Sequence, residues 1–253
     1  MMSNREIRAR AWTLCRANFW KILGASVFVS LVTTICMSVG MLLGVAGILM
    51  AVAAMLILMP VLEAGMVQFT GNLWNDRFAS ISTLFTHTDK VGRIWGIMIQ
   101  TFLLELALIL PFMGVIGILT LLGGNSVAIM IIYVAVAVVM IVAMFWLSIR
   151  LSLPVFAMVL NPFSKASECI RISWNVTRGN VRRIFCHMFI LSLPLIIMEA
   201  LLQSFMIFNQ TSNVVYFILN LASTMLASLF NGYLTLGQYG LAEQLILHPS
   251  PDQ

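Results

Sequence analysis

The sequence predicts an all-α integral membrane protein with six transmembrane helices. They form three hairpins, each preceded by an amphipathic segment on the cytoplasmic side. Three observations predict this. Of 253 residues, 61% are hydrophobic and 9% charged, where a soluble domain carries about 25% charged residues. The apolar residues gather in three runs, each too long for one crossing and each broken by a Gly- or Asn-rich stretch. Every lysine and arginine lies outside those breaks.

Residues 1–21 read as an interfacial helix. Ile7, Ala11, Leu14 and Asn18 align on one face, Arg8 and Arg10 fall off it, and Trp12, Phe19 and Trp20 suit headgroup level. Residues 22–62 contain no charge. One helix of that length would measure about 60 Å, twice the roughly 30 Å hydrocarbon core. The chain must fold back, and Gly40, Gly44 and Gly47 supply the turn. Spans near 22–41 and 46–68 follow. Residues 75–93 are a polar loop with one short helix. The next run, 94–149, carries one charge, Glu105, and Gly123-Gly124-Asn125-Ser126 breaks it. This gives spans near 94–120 and 127–150. Pro154, just beyond, kinks or ends the helix.

Residues 161–183 form a second amphipathic helix, opened by Pro162 or Ser164 and closed by Gly179. Phe163, Ala166, Ile170, Trp174 and Thr177 share one face, with Lys165, Glu168, Arg171, Asn175 and Arg178 opposite. A basic face backed by aromatics fits the membrane–water boundary. It also fits a helix packed on its own protein with a solvated charged side. Asn209-Gln210-Thr211-Ser212-Asn213 breaks the last run into spans near 184–207 and 214–237.

Arg5, Arg8, Arg10, Arg16 and Lys21 precede the first span. Arg77, Lys90 and Arg93 lie between the second and third. Arg150, Lys165, Arg171, Arg178, Arg182 and Arg183 lie between the fourth and fifth. These are all fourteen Lys and Arg of the chain. Cations are retained on the cytoplasmic side, so both termini are expected there. The net charge of +5 is therefore read as orientation and affinity for anionic lipid rather than for nucleic acid. Cys15, Cys36, Cys169 and Cys186 are scattered, as are His87, His187 and His248, which excludes a recognisable disulfide framework or zinc site. The first apolar run is too long for a cleavable signal core.

The stretch Trp12–Ile22, W-T-L-C-R-A-N-F-W-K-I, parallels Trp174–Ile184, W-N-V-T-R-G-N-V-R-R-I. The segment from Leu84 to Ile94 is a fainter copy. Duplication leaves such a pattern, and so does any basic helix entering a membrane; the sequence leaves both open.

Two stretches carry a family resemblance: R-L-S-L-P-V-F-A from Arg150, and A-S-E-C-I-R-I-S-W-N-V-T-R-G-N-V-R-R-I-F ending at Phe185. With N-R-E-I-R-A-R-A-W and R-A-N-F-W-K near the start, the chain resembles a family of bacterial integral membrane proteins that includes a domain of unknown function often found in Firmicutes. It is similar to the membrane domain that precedes the catalytic domain of some glycerophosphoryl diester phosphodiesterases. The resemblance implies a multi-helix protein of the bacterial plasma membrane without assigned chemistry. These 253 residues leave no room for the phosphodiesterase domain, so its activity is not carried over.

Glu105 and Glu199 fall inside spans, where an ionisable group is costly. Each could carry protons or bind a cation, or could serve a structural role, and the lack of a second acid nearby favours the structural one. Pro194 precedes Glu199 and can kink its helix. Glu63 and Arg150 fall at similar depth and are expected to pair. Gly40-x-x-x-Gly44 reads as a turn and Gly92-x-x-x-Gly96 as close packing. Arg16, Lys21, Arg171, Arg178, Arg182 and Arg183 are the candidate contacts for lipid headgroups. No nucleotide, metal or serine-hydrolase motif is present, and no cofactor is implied. The expected function is a non-enzymatic bacterial inner-membrane protein, an interaction or scaffold module that contacts anionic lipid and possible membrane partners. The alternative is a small transporter or transport accessory using Glu105 and Glu199.

Overall fold

The structure, a computed structural model, describes the backbone of residues 2–121, 127–208 and 213–248. Side chains are described for these except at 37, 39–41, 127–128, 202–203, 205–208, 213–225 and 229. The breaks at 123–126 and 209–212 lie outside the described residues.

Among the described residues the chain is helical and no strand occurs. The helices are α1 (Asn4–Ala17), α2 (Phe19–Leu42), α3 (Gly44–Trp74), α4 (Val91–Leu121) and α5 (Val127–Arg150), followed by α6 (Pro154–Leu160), α7 (Ala166–Arg178), α8 (Val181–Phe208) and α9 (Asn213–Leu247). Five of them, α2, α3, α4, α5 and α8, are long and apolar enough to cross a membrane. The sixth expected span falls in α9, a helix of 35 residues; most side chains of its first half are outside the described set. The expected glycine turn falls at Gly44, whose φ of 70° is open to glycine at little cost. Pro154 ends nothing itself: α5 stops at Arg150, and Pro154 opens α6 at its first turn.

The loop before α4 forms two short 3₁₀ turns, Ile81–Phe85 and Thr88–Lys90, where one short helix was expected. Thr86 and Thr88 donate to the carbonyls of Thr83 and Phe85, and the Ser80 N–H donates to the Thr83 hydroxyl. Such local side-chain bonds compete with the α-helical ladder. The middle segment therefore departs from the pattern of the other two.

The chain divides into two compact units, Met1–Ile94 with Arg182–Gln253, and Trp95–Val181. In the first, α2 lies against α3 and α9, and α3 packs on α9 and on the first 3₁₀ turn. Close approach is made by glycines. Gly65 faces the Leu84 carbonyl so tightly that a β-carbon would overlap it. Gly71 receives the Tyr239 ring, and Gly240 on α9 receives the Trp74 ring in return. In the second unit, α7 packs on α5 and α6. Gly96 of α4 comes close to Ala166, where a β-carbon would stand 3.0 Å from the alanine methyl, so that half of the Gly92-x-x-x-Gly96 pair serves close packing. Gly92 has open space.

Candidate functional site

The cations gather where short amphipathic helices meet the ends of long ones. α1 is built for this. The Ser3 N–H donates to the Glu6 carboxylate at 2.6 Å, closing a capping box. Ile7, Ala11 and Cys15 are buried, one helical stripe laid against α9. Burial pushes the Cys15 thiol above its ordinary value, so it remains a protonated packing group. The face expected from sequence was Ile7–Ala11–Leu14–Asn18; the observed stripe turns toward Cys15, and Leu14 and Asn18 are half-buried.

Arg10 fastens α1. Its Nη2 donates to the Trp74 carbonyl at 2.8 Å, and its guanidinium lies 4.6 Å from the Trp74 ring. Arg183 fastens the N-terminal segment. It donates to the Met2 carbonyl at 2.6 Å and to Asn4 Oδ1 at 3.1 Å, while Asn4 Nδ2 donates back to the Arg183 carbonyl. Arg183, read from sequence as a headgroup contact, is thus engaged within the protein. Next to it on α8, His187 is fully buried with Nε2 3.1 Å from the Gly237 carbonyl. Sequence reading passed over this histidine because one His in an apolar run gives no signal of its partner.

In the second unit, Arg150 occupies the matching place. It is 9% exposed. Its Nη1 donates to the Trp174 carbonyl at 3.1 Å, and its guanidinium lies 4.9 Å from the Trp146 ring and 5.3 Å from the Trp174 ring. The two indoles meet edge to face at 5.5 Å. Ser173 ties α7 to the end of α5: its hydroxyl donates to the Arg150 carbonyl at 2.7 Å and accepts from the Leu153 N–H. The guanidinium that the sequence would pair with Glu63 takes these partners inside its own unit. Glu63, in the first unit, is exposed.

The buried stripe of α7 is Cys169, Ser173 and Thr177; it keeps Thr177 of the expected face and turns away from Phe163 and Ile170 toward Cys169 and Ser173. Phe163 precedes the helix and is 95% exposed. Small hydroxyl and thiol side chains allow close approach where a Trp–Phe face would not. Arg171 and Arg178 stay exposed on either side of Trp174, at helical spacing.

Five candidate headgroup cations, Arg16, Lys21, Arg171, Arg178 and Arg182, are exposed. In the first unit they neighbour exposed aromatics, Trp12 and Trp20, the latter 79% exposed. Glu105 is half-buried on α4 and Glu199 is exposed on α8. Among the described residues no cluster of His, Cys, Asp or Glu could hold a metal ion. No family model, curated protein or solved structure matches the chain.

Proposed function

We propose that this is a non-enzymatic protein of a bacterial inner membrane, a membrane-embedded interaction or scaffold module that contacts anionic lipid through cytoplasmic basic helices. Six spans in three hairpins, with both termini cytoplasmic, complete the reading. So does kinship with the membrane domain of the glycerophosphoryl diester phosphodiesterases. The observation that carries it is a division of labour among the cations. Arg10, Arg150 and Arg183 are bound within the protein. Arg16, Lys21, Arg171, Arg178 and Arg182 are left exposed, on the amphipathic helices α1 and α7 and in the first turns of α2 and α8. Each exposed cation near an anionic leaflet contributes about 1 kcal/mol.

The transport reading gains no observation of its own. Glu199 is exposed, and the groove described below is lined by apolar residues, neither acid among them.

The test is reconstitution into bilayers of phosphatidylcholine with and without phosphatidylglycerol. Anionic lipid should raise the thermal midpoint, and a variant with all five exposed cations changed to Gln should lose that gain. Equal stability of the wild type in both bilayers rejects the reading. Cysteine labelling at positions 16, 90 and 178 tests the topology; all three should react only from the cytoplasmic side.

A further inference from the structure

We propose that the second unit holds one anionic phospholipid as a resident ligand. One acyl chain would lie in the groove between α4 and α5, and the phosphate would rest on the Arg171–Trp174–Arg178 stripe of α7. This rests on the anionic-lipid reading and gives it an address.

The two helices are tied at one end by Thr120 Oγ1 and Tyr133 Oη at 2.8 Å. Below that tie lies a groove of about 520 Å³, lined by Leu108, Val138, Val139, Val142, Ala143 and Trp146. The volume is within the range of small-molecule sites, roughly 300–1,000 Å³, yet no charged side chain lines it to orient a polar ligand. Val138, Val139 and Val142 are more than half exposed, so the groove is open along its side. An open apolar trough running about 12 Å along α5, by the helical rise, fits a hydrocarbon chain lying beside the helix. The most apolar stretches of α4 and α5 bury none of their residues, against 28% in α3.

The groove ends at Trp146, and the cation–aromatic cluster begins there. Trp146 meets Trp174 edge on, and Arg171 and Arg178 flank Trp174 on the same face of α7, both exposed. Arg150, behind the indoles, keeps its Nε buried without a hydrogen-bond partner among the described residues. Two acids border the site. Glu168 accepts the Lys165 N–H at 2.9 Å, and Glu105 lies one turn before Leu108 on α4. Positive charge therefore prevails at the groove mouth, where charge-assisted bonds to a phosphate would form.

Native mass spectrometry of the purified full-length protein tests this, with phosphatidylglycerol and phosphatidylcholine of identical acyl chains as probes. The wild type should retain one phosphatidylglycerol per chain and hold phosphatidylcholine about tenfold more weakly. Ala143→Trp and, independently, Val139→Trp fill the groove and should lose the retained lipid. The Arg171→Gln, Arg178→Gln double variant should keep a lipid and lose the headgroup preference. Thermal melting confirms that each variant is folded. Wild-type retention of the lipid by both groove variants overturns the proposal, as does equal retention of the two lipids by the wild type. Stabilisation by anionic bilayers should survive in Ala143→Trp, so failure of the groove and failure of the general lipid reading give different results.

Discussion

α1 and α7 are the same device built twice with different materials. At a constant offset of 162 residues each feature of one has its counterpart in the other. Ser3 and Lys165 donate their backbone N–H to Glu6 and Glu168, at 2.6 and 2.9 Å. Ile7, Ala11 and Cys15 are buried in one, Cys169, Ser173 and Thr177 in the other. Asn18 and Asn180 each donate a side-chain N–H to the carbonyl four residues back, on Leu14 and Val176. Ile22 and Ile184, just inside the following long helices, are both fully buried. In both places an arginine grips the carbonyl and the ring of a single tryptophan. The roles are exchanged. In the first unit the short helix supplies the arginine and the end of α3 the tryptophan. In the second, the end of α5 supplies the arginine and the short helix the tryptophan.

That exchange teaches what each interface depends on. The apolar stripe of α1 is driven together by burial, and Arg10 adds to it from the rim. The stripe of α7 is small and polar, so its hold comes from Ser173 and from Arg150 against two indoles. Removing the arginine should therefore cost unequally. Arg150→Ala should destabilise the detergent-solubilised protein by about 3 kcal/mol, because it removes a desolvated cation–π pair and a charged hydrogen bond. Arg10→Ala, at an exposed position, should cost about 1 kcal/mol. Equal shifts in thermal midpoint would erase the contrast.

Next in size is a swap of the stripes. Ser173→Ala leaves the Arg150 carbonyl and the Leu153 N–H without this partner and should cost about 2 kcal/mol. Ala11→Ser places a hydroxyl on an apolar contact and should cost about 1 to 2 kcal/mol. If both are neutral by thermal melting, the two stripes are not specialised. A smaller and matched effect is expected where the two helices agree. Asn18→Ala and Asn180→Ala should each cost about 0.5 to 1 kcal/mol, and a marked difference between them would break the equivalence.

The smallest effect concerns the first turn of α1. The Ser3 N–H, with its hydroxyl second, holds the Glu6 carboxyl below its ordinary 4.5. A lowered value means that the stabilisation is present above 4.5 and is lost as pH falls through the folded value beneath it. Amide exchange in the first turn, corrected for intrinsic rate, should therefore rise between pH 5 and pH 3. Glu6→Gln should remove the pH dependence.

Much of this was legible in the chain. Uncharged runs set the long helices, because a backbone in a long apolar stretch satisfies itself only as helix. Gly179 marked the break before α8, whereas Asn18, read as one position on the face of a continuous helix, caps the end of α1. The correspondence of Trp12–Ile22 with Trp174–Ile184 was visible as residues, although only the geometry joined Glu6 to Glu168 and Ala11 to Ser173. The middle segment was read as a polar loop with one short helix; that it forms two separate turns was not legible, because threonine bonding to its own backbone leaves no mark in hydrophobic periodicity. The buried face of α7 was read correctly at Thr177 but not at Cys169 and Ser173, because Trp174 and Phe163 weigh more on any hydropathy pattern than a serine.

By itself, the sequence determined which stretches are long apolar helices and on which segments the cations lie. Those properties follow from composition and local spacing. Tertiary structure decided which arginines are spent inside the protein and which remain for a partner. Arg10 finding Trp74 is a contact across 64 residues and Arg183 finding Met2 one across 181. Pairings at such separation depend on how whole helices dock, and no local pattern encodes them.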